Sequence, residues 1–390
     1  MFSLLLAIIY LAFISLGLPD SLLGSAWPVM HLELGVPVSY AGIVTMIISG
    51  GTIVSSLFSD ALTRKFGAGL VTAVSVLMTA AALLGFSFTG AFPLLCLWAV
   101  PYGLGAGAVD AALNNYVALH YASRHMSWLH CFWGVGAAVS PYIMSWALSG
   151  AMGWQQGYRT VSVIQFALTA VLFLSLPMWK RKDAEKAEER AAAPRLTLPQ
   201  AMKIRGVPLL LITFFSYSAA EGTTGLWASS YLVQFHGVDP ELAASFASLF
   251  FLGITFGRFL CGFFADKLGD RILIRAGVLI ALAGGVLIAL PVGIHGLALA
   301  GLLVIGLGCA PIYPSIIHST PFRFGKENSQ AIIGIQMACA YVGSTFMPPL
   351  FGLLANHVSI GLYPAYLLLF VLLMLVTSER LNRICGAGQA

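Results

Sequence analysis

The chain has 390 residues, 59% of them hydrophobic and only 9% charged, with a formal net charge of +5. A soluble globular domain carries about 25% charged residues, so this composition excludes one and defines an integral membrane protein. Basic loops account for the small positive excess, and no nucleic-acid partner is expected.

A membrane-spanning helix needs about 20 mostly apolar residues, and Gly, Pro and charge interruptions divide the chain into about twelve such runs. They fall at about residues 2–31, 38–62, 68–89, 92–120, 126–150, 157–179, 206–235, 241–265, 271–293, 296–320, 328–355 and 359–378. The first run has neither a basic n-region nor a clear cleavage site, so it reads as a retained helix. The runs are continuous and do not alternate with period two, which excludes a β-barrel. Cys96, Cys131, Cys261, Cys309, Cys339 and Cys385 form no CxxC pair, and neither a disulfide framework nor a metal site is signalled. No HExxH, GxSxG, Walker or Rossmann pattern stands in a supporting context, so neither an enzymatic activity nor a cofactor is expected.

Short loops with Lys and Arg stay on the cytoplasmic side. With twelve spans, Arg64, Lys65, Arg124, Lys267, Arg271, Arg275, Arg323, Lys326, Arg380 and Arg383 share one side. His31, Glu33, Asp239, Glu241, His295 and His357 take the other, with Arg159 the single basic exception. Both termini are therefore expected in the cytoplasm of a cell with the protein in its cell membrane, a bacterial inner membrane by this reading. The one long charged run, Lys180 to Arg205, reads as a cytoplasmic linker between two six-helix halves. The expected organisation is a first bundle at 1–179, a linker at 180–205, a second bundle at 206–379 and a tail at 380–390.

Three acids interrupt this apolar pattern. Asp20 lies within Met1 to Met30, Asp110 within Phe92 to Leu119, and Glu221 within Val207 to Val233. A carboxylate in hydrocarbon costs at least about 2.5 kcal/mol, so such acids face a cavity or a partner and mark ion or substrate paths. A carboxylate withdrawn from water also binds a proton more readily, which makes all three candidates for proton coupling. The alternative for each is a buried acid satisfied by a neighbouring helix.

Asp110 and Asn114 are one turn apart on one helix face, a pairing of acceptor and amide that suits a polyol. Asp20, Gly24 and Trp27 share a face as well, with Trp27 offering a stacking surface for a sugar ring. Trp227 has a similar place in the seventh run, and for both tryptophans an interfacial anchor is the competing reading. Gln165 and Gln336 lie well inside their runs and are candidates for hydrogen bonds to a solute, although helix–helix bonding is the commoner fate of such residues. His130 and His318 lie towards the cytoplasmic ends, where a structural or gating role is expected. Arg258, two turns before Asp266, is expected to snorkel or pair near the cytoplasmic face.

The second half laid over the first at a shift of about 200 residues superposes several features in common order. Asp20-x-x-x-Gly24 meets Glu221-x-x-x-Gly225, Gly51 meets Gly253, Gly103-Leu-Gly105 meets Gly306-Leu-Gly308, and Phe66-Gly67 meets Leu268-Gly269. Two related six-helix bundles imply a solute site near the midplane and alternating access by rocking.

The run Gly262-Phe-Phe-Ala-Asp266-Lys267-Leu-Gly269-Asp-Arg271 resembles the loop signature of the major facilitator superfamily. Asp60-Ala-Leu-Thr-Arg64-Lys65-Phe-Gly67 is a degenerate copy, with Arg64 where the signature has Asp. The resemblance implies an all-α membrane fold of twelve transmembrane helices in two pseudo-symmetric six-helix bundles. It also implies a conformational latch involving Asp266, Lys267, Arg271 and Arg64.

Gly17-Leu-Pro19-Asp20, Gly105-Ala-Gly-Ala-Val-Asp110-Ala-Ala-Leu-Asn114 and Ser127-Trp-Leu-His130-Cys-Phe132-Trp-Gly-Val-Gly136 are similar to the fucose–glucose–galactose:proton symporter family. In that family the two acids serve proton coupling and sugar binding, which the resemblance implies for Asp20 and Asp110, with Asn114 beside them. Trp133 stands where a fucose-carrying member has a functional Asn, which points away from fucose. The expected function is secondary active transport of a small polar solute, a monosaccharide by resemblance, coupled to protons and performed by a monomer in the bilayer. A drug or metabolite:proton antiporter and a transport-dead membrane sensor are the alternatives.

Overall fold

The computed structural model describes residues 4–37, 40–150, 152–183, 196–238, 240–290 and 295–386, and every regular element among them is helical. Lipid offers no hydrogen bonds to a free backbone, so an apolar chain of this kind must satisfy its N–H and C=O groups within each segment. The helices are α1 (Leu4–Asp20), α2 (Leu22–Glu33), α3 (Ala41–Ser87), α4 (Phe92–His120), α5 (Ser123–Ser149), α6 (Gly153–Asp183) and α7 (Leu198–Lys203). There follow α8 (Val207–His236), α9 (Pro240–Leu268), α10 (Asp270–Ala289), α11 (His295–Phe324), α12 (Ser329–His357) and α13 (Tyr363–Gly386).

Ten stretches of the described residues are long and apolar enough to cross a membrane, with α1 and α2 together forming the first. One of the ten, α3, is two spans merged across Gly67, whose φ of 80° and ψ of 155° are not helical. The 30-residue α8 has the length of a further span. Dividing α3 and adding α8 brings the total to twelve. The fold is that of twelve transmembrane helices in two pseudo-symmetric six-helix bundles.

The internal repeat is visible in backbone geometry. Gly269, between α9 and α10, has φ 75° and ψ 155°, nearly the values of Gly67. Only glycine tolerates that region, so both halves turn on a residue without a Cβ. Close crossings repeat too. A Cβ on Gly51 would lie 3.2 Å from Gly103 Cα, and one on Gly253 would lie 3.2 Å from Gly306 Cα. Gly103 in turn rests on the Ile48 carbonyl, and Gly306 on that of Phe250. Lipid supplies no hydrophobic drive between helices, so small residues that admit van der Waals contact hold such bundles together.

Contact clustering gives two compact units, residues Met1–Tyr116 with Leu129–Arg195, and Val117–Trp128 with Leu196–Ala390. The corner from the end of α4 to the start of α5 thus groups with the second unit. Trp128 explains part of this: its indole fills the space left by the absent side chain of Gly262 and donates to the Phe259 carbonyl at 3.4 Å.

Of the charged run expected as a linker, residues 184–195 lie outside the described ones. Lys180–Asp183 continue α6, and Leu198–Lys203 form α7, capped where Gln200 Oε1 accepts the Thr197 backbone N–H at 2.9 Å. The stretch expected as a tail from residue 380 continues α13 to Gly386, with Asn382 accepting from Arg323 at 3.0 Å.

Candidate functional site

In the first unit the opening span breaks at Asp20. Pro19 has no N–H to give the carbonyl of Ser15 four residues back. Gln165 of α6 replaces it, its Nε2 donating to Ser15 O at 2.6 Å. Pro141 leaves the Ala137 carbonyl of α5 in the same position, and Ser21 Oγ, at the break itself, donates to it at 2.6 Å. Two prolines and two polar side chains therefore fix the break against α5 and α6. Gly17 and Gly136 bring α1 and α5 together, each lying against a carbonyl oxygen of the other helix, Trp133 O and Ile14 O.

Asp20 ends α1 with an exposed carboxylate. Trp133 Nε1 donates to its Oδ2 at 2.8 Å, and Tyr102 Oη donates to its Oδ1 at 3.1 Å. Both donors are neutral, so neither cancels the charge of the carboxylate. Trp133 enters the site directly, and Tyr102 joins it from α4 with no sequence signal beyond a polar tip in an apolar run.

A second cluster in the same unit joins Asp110, Asn114 and His130. Asn114 Nδ2 donates to Asp110 Oδ1 at 2.8 Å and to the Asp110 carbonyl at 3.0 Å. The amide oxygen of Asn114 then faces His130 Nε2 at 3.0 Å, so His130 donates from that nitrogen. Phe13 packs edge-on to the His130 ring at 5.4 Å. Asn114 is 0% exposed and Asp110 8%, so the shared face expected to meet a polyol is enclosed by protein in this structure.

The second unit places Glu221 in the middle of α8, with Arg258 of α9 beside it. Arg258 is 3% exposed, and Nη2 lies 3.5 Å from Glu221 Oε1 and 3.4 Å from Tyr217 Oη. Its guanidinium stands over the Tyr313 ring at 5.9 Å. Arg258 was expected to snorkel or to pair near the cytoplasmic face. It pairs, buried against the acid in the middle of α8, because a guanidinium withdrawn from water needs a counter-ion.

Gln165 spends its amide on Ser15 O and accepts from Thr79 Oγ1 at 2.9 Å, which makes it a helix tie. Trp27 is 4% exposed within the apolar core of the first unit. Trp227 donates to Pro348 O at 2.8 Å and lies against Gly352 and Phe351 of α12. Gln336 is 0% exposed, with its oxygen taking Thr320 Oγ1 at 3.1 Å.

Of the expected latch, Arg64 pairs with Asp60 one turn earlier on its own helix, Nε lying 2.9 and 3.0 Å from the two oxygens. Asp266 meets Arg124, whose Nε lies 3.0 Å away and whose backbone N–H donates at 3.1 Å. Lys267 and Arg271 are exposed. Beside this pair, Asp270 accepts from Ser123 Oγ at 2.6 Å and lies 2.6 Å from His318 Nδ1, while His318 Nε2 faces Tyr121 O at 3.3 Å.

Comparison with known proteins agrees with this architecture. The Major Facilitator Superfamily model matches residues 9–316 and 209–380. The chain belongs to that superfamily, whose members are membrane transporters. It is similar to the membrane protein MosC of Rhizobium meliloti, 25% identical over 328 residues, 82% of this chain and 76% of the relative. Two further relatives carry different solutes by name. The glucose/mannose transporter GlcP of Bacillus subtilis is 20% identical over 96% of this chain and 94% of its own. The 4-hydroxybenzoate transporter PcaK of Acinetobacter baylyi is 22% identical over 69% and 67%.

Among solved structures, the transporter FucP in its outward conformation superposes with a TM-score of 0.78 at 14% identity, over 97% of this chain and 98% of that one. The proton:xylose symporter XylE, bound to 6-bromo-6-deoxy-D-glucose, gives 0.79 at 13%, over 97% and 95%. At such identity these likenesses establish the fold.

Proposed function

We propose that the protein is a secondary active transporter that moves a small polar solute, a monosaccharide or close analogue, by alternating access coupled to protons. The observation that carries this reading is Asp20, an exposed carboxylate at a broken span, held by two neutral donors, Trp133 and Tyr102. A carboxylate in that setting exchanges a proton or accepts solute hydroxyls without first leaving a cation. Asp110 is the second proton-coupling acid, with Asn114 and His130 orienting it. A ligand shifts a two-state carrier only through its differential affinity for the states, and protonation of Asp20 supplies such a difference.

The likeness to GlcP supports a sugar among the possible solutes, as do the intramembrane polar groups. Uptake into proteoliposomes of a panel of labelled monosaccharides, with and without an imposed pH gradient, tests the reading. Accumulation of one sugar that collapses when the gradient is dissipated is expected. No gradient-dependent movement of any solute in the panel would remove it.

The protein is placed in the cell membrane with both termini on the cytoplasmic side, on the strength of the Lys and Arg loops. A cysteine introduced at Arg190 should react with a membrane-impermeant maleimide only after the cells are opened. Labelling from outside intact cells would invert the topology.

A further inference from the structure

We infer that the solute carries an ammonium group beside its hydroxyls, and that Asp20 is the residue that pairs with it. The inference rests on the transporter reading above and narrows its solute class from monosaccharides at large to amino sugars and similar amino-polyols.

The two halves of the internal repeat treat their acids differently. Asp20 and Glu221 occupy matching places, and Arg258 falls on Ser56 when Gly253 is laid on Gly51. In the second unit the cation is present, with Arg258 Nη2 3.5 Å from Glu221 Oε1. In the first unit its place is taken by a serine that is 0% exposed and donates to the Gly107 carbonyl at 3.2 Å. No Lys, Arg or His among the described residues forms an ion pair with Asp20. A charge held away from bulk water needs a counter-ion. The first half lacks the one that the second half supplies.

The Asp20 carboxylate is set up to receive a counter-ion from outside. Its two oxygens accept one hydrogen bond each, from Trp133 Nε1 at 2.8 Å and Tyr102 Oη at 3.1 Å, as those of an ionised acid do. A carboxylate has about four acceptor positions, so each oxygen keeps one open. Asp20 lies deep among the helices and is nonetheless exposed, so it faces open space and not a packed neighbour. Gly24, one turn along, is exposed as well, and a Cβ there would meet no atom within 4 Å. The partly exposed Trp133 is an aromatic neighbour of the kind that attracts a cation. An ammonium bonds to a carboxylate about twice as strongly as two neutral groups bond to each other. A neutral hydroxyl fills an acceptor position and leaves the charge unbalanced, whereas an ammonium does both.

The test is equilibrium binding to the detergent-purified full-length chain by titration calorimetry at neutral pH. The probes are D-glucosamine, D-galactosamine and D-mannosamine, each beside its parent hexose and its N-acetyl derivative, which keeps the nitrogen and loses the charge. At least one amine is expected to bind at least tenfold more tightly than both of its neutral counterparts. Asp20→Asn should abolish that preference, and Asp20→Glu, which keeps the charge, should retain part of it. Should Asp20→Asn not fold, Asp20→Ser takes its place, with the same loss expected. Failure of all the amines to bind, equal binding of the neutral counterparts, or an unchanged preference in the uncharged variant would overturn the inference. Binding requires no gradient, so the two readings separate. Gradient-driven accumulation of a neutral hexose with no preference for the amines sinks this inference alone. Preferential binding of an amine without accumulation of any probe sinks the transport reading alone.

Discussion

Trp133 gives its indole N–H to the Asp20 carboxylate at 2.8 Å, and that bond joins the break in the first span to the middle of α5. It forms because Gly17 and Gly136 let the two helices touch backbone to backbone. It also sets a test that separates geometry from charge. Trp133→Phe keeps most of the ring packing and removes the donor. A hydrogen bond to a charged group contributes about 1.5–3 kcal/mol, so gradient-driven uptake should fall at least about tenfold. Uptake at wild-type rates with unchanged pH dependence would make Trp133 a packing residue.

Asp20→Asn and Asp110→Asn retain shape and remove a titratable group each. Both variants are expected to fold, to lose accumulation against a gradient, and to keep exchange of solute at equal concentrations across the membrane. Proteoliposome uptake measured in the two modes checks this. Full accumulation in both variants would assign the acids a structural role.

Pro19 and Gln165 are coupled through one carbonyl. Gln165→Leu leaves Ser15 O without its donor, at a cost of about 1–3 kcal/mol. Pro19→Ala returns a backbone N–H to that carbonyl, so Gln165→Leu should cost less than half as much in that background. Thermal unfolding of the four proteins in the cycle gives the coupling directly. Additive losses would mean that Gln165 acts through other contacts.

Asn114 bridges Asp110 and His130 inside the first unit, with bonds of 2.8 and 3.0 Å. Asn114→Ala and His130→Ala should each destabilise the protein by about 1–3 kcal/mol. The double variant should lose clearly less than their sum, since both remove parts of one chain of bonds. Solute affinity that falls in Asn114→Ala while stability holds would return Asn114 to the solute.

Gly67 and Gly269 have the same strained conformation in the two halves. Alanine at either position should cost about 1–3 kcal/mol from the backbone alone, since that region is nearly closed to residues with a Cβ. Similar drops in unfolding temperature for the two variants are expected. A neutral result at Gly269, where a Cβ would have open space around it, would show that the turn relaxes.

The membrane class, the number of spans, the repeat and the three intramembrane acids are all legible in the sequence, and for one physical reason. In lipid the cost of a charge or an unpaired backbone group is so large that composition and spacing alone dictate where helices run and where acids stand out. Gly67 and Gly269 belong to this legible set, because only glycine serves the conformation they adopt. What each acid touches is decided elsewhere. Trp133 and Tyr102 reach Asp20 from residues 113 and 82 positions away, and Arg258 reaches Glu221 from 37. Gln165, for which the sequence left both a solute contact and a helix–helix bond open, donates to a carbonyl that a proline left free 150 residues earlier. A hydrogen bond needs its partners within about 3 Å, and only the packing of helices distant in sequence brings these groups that close.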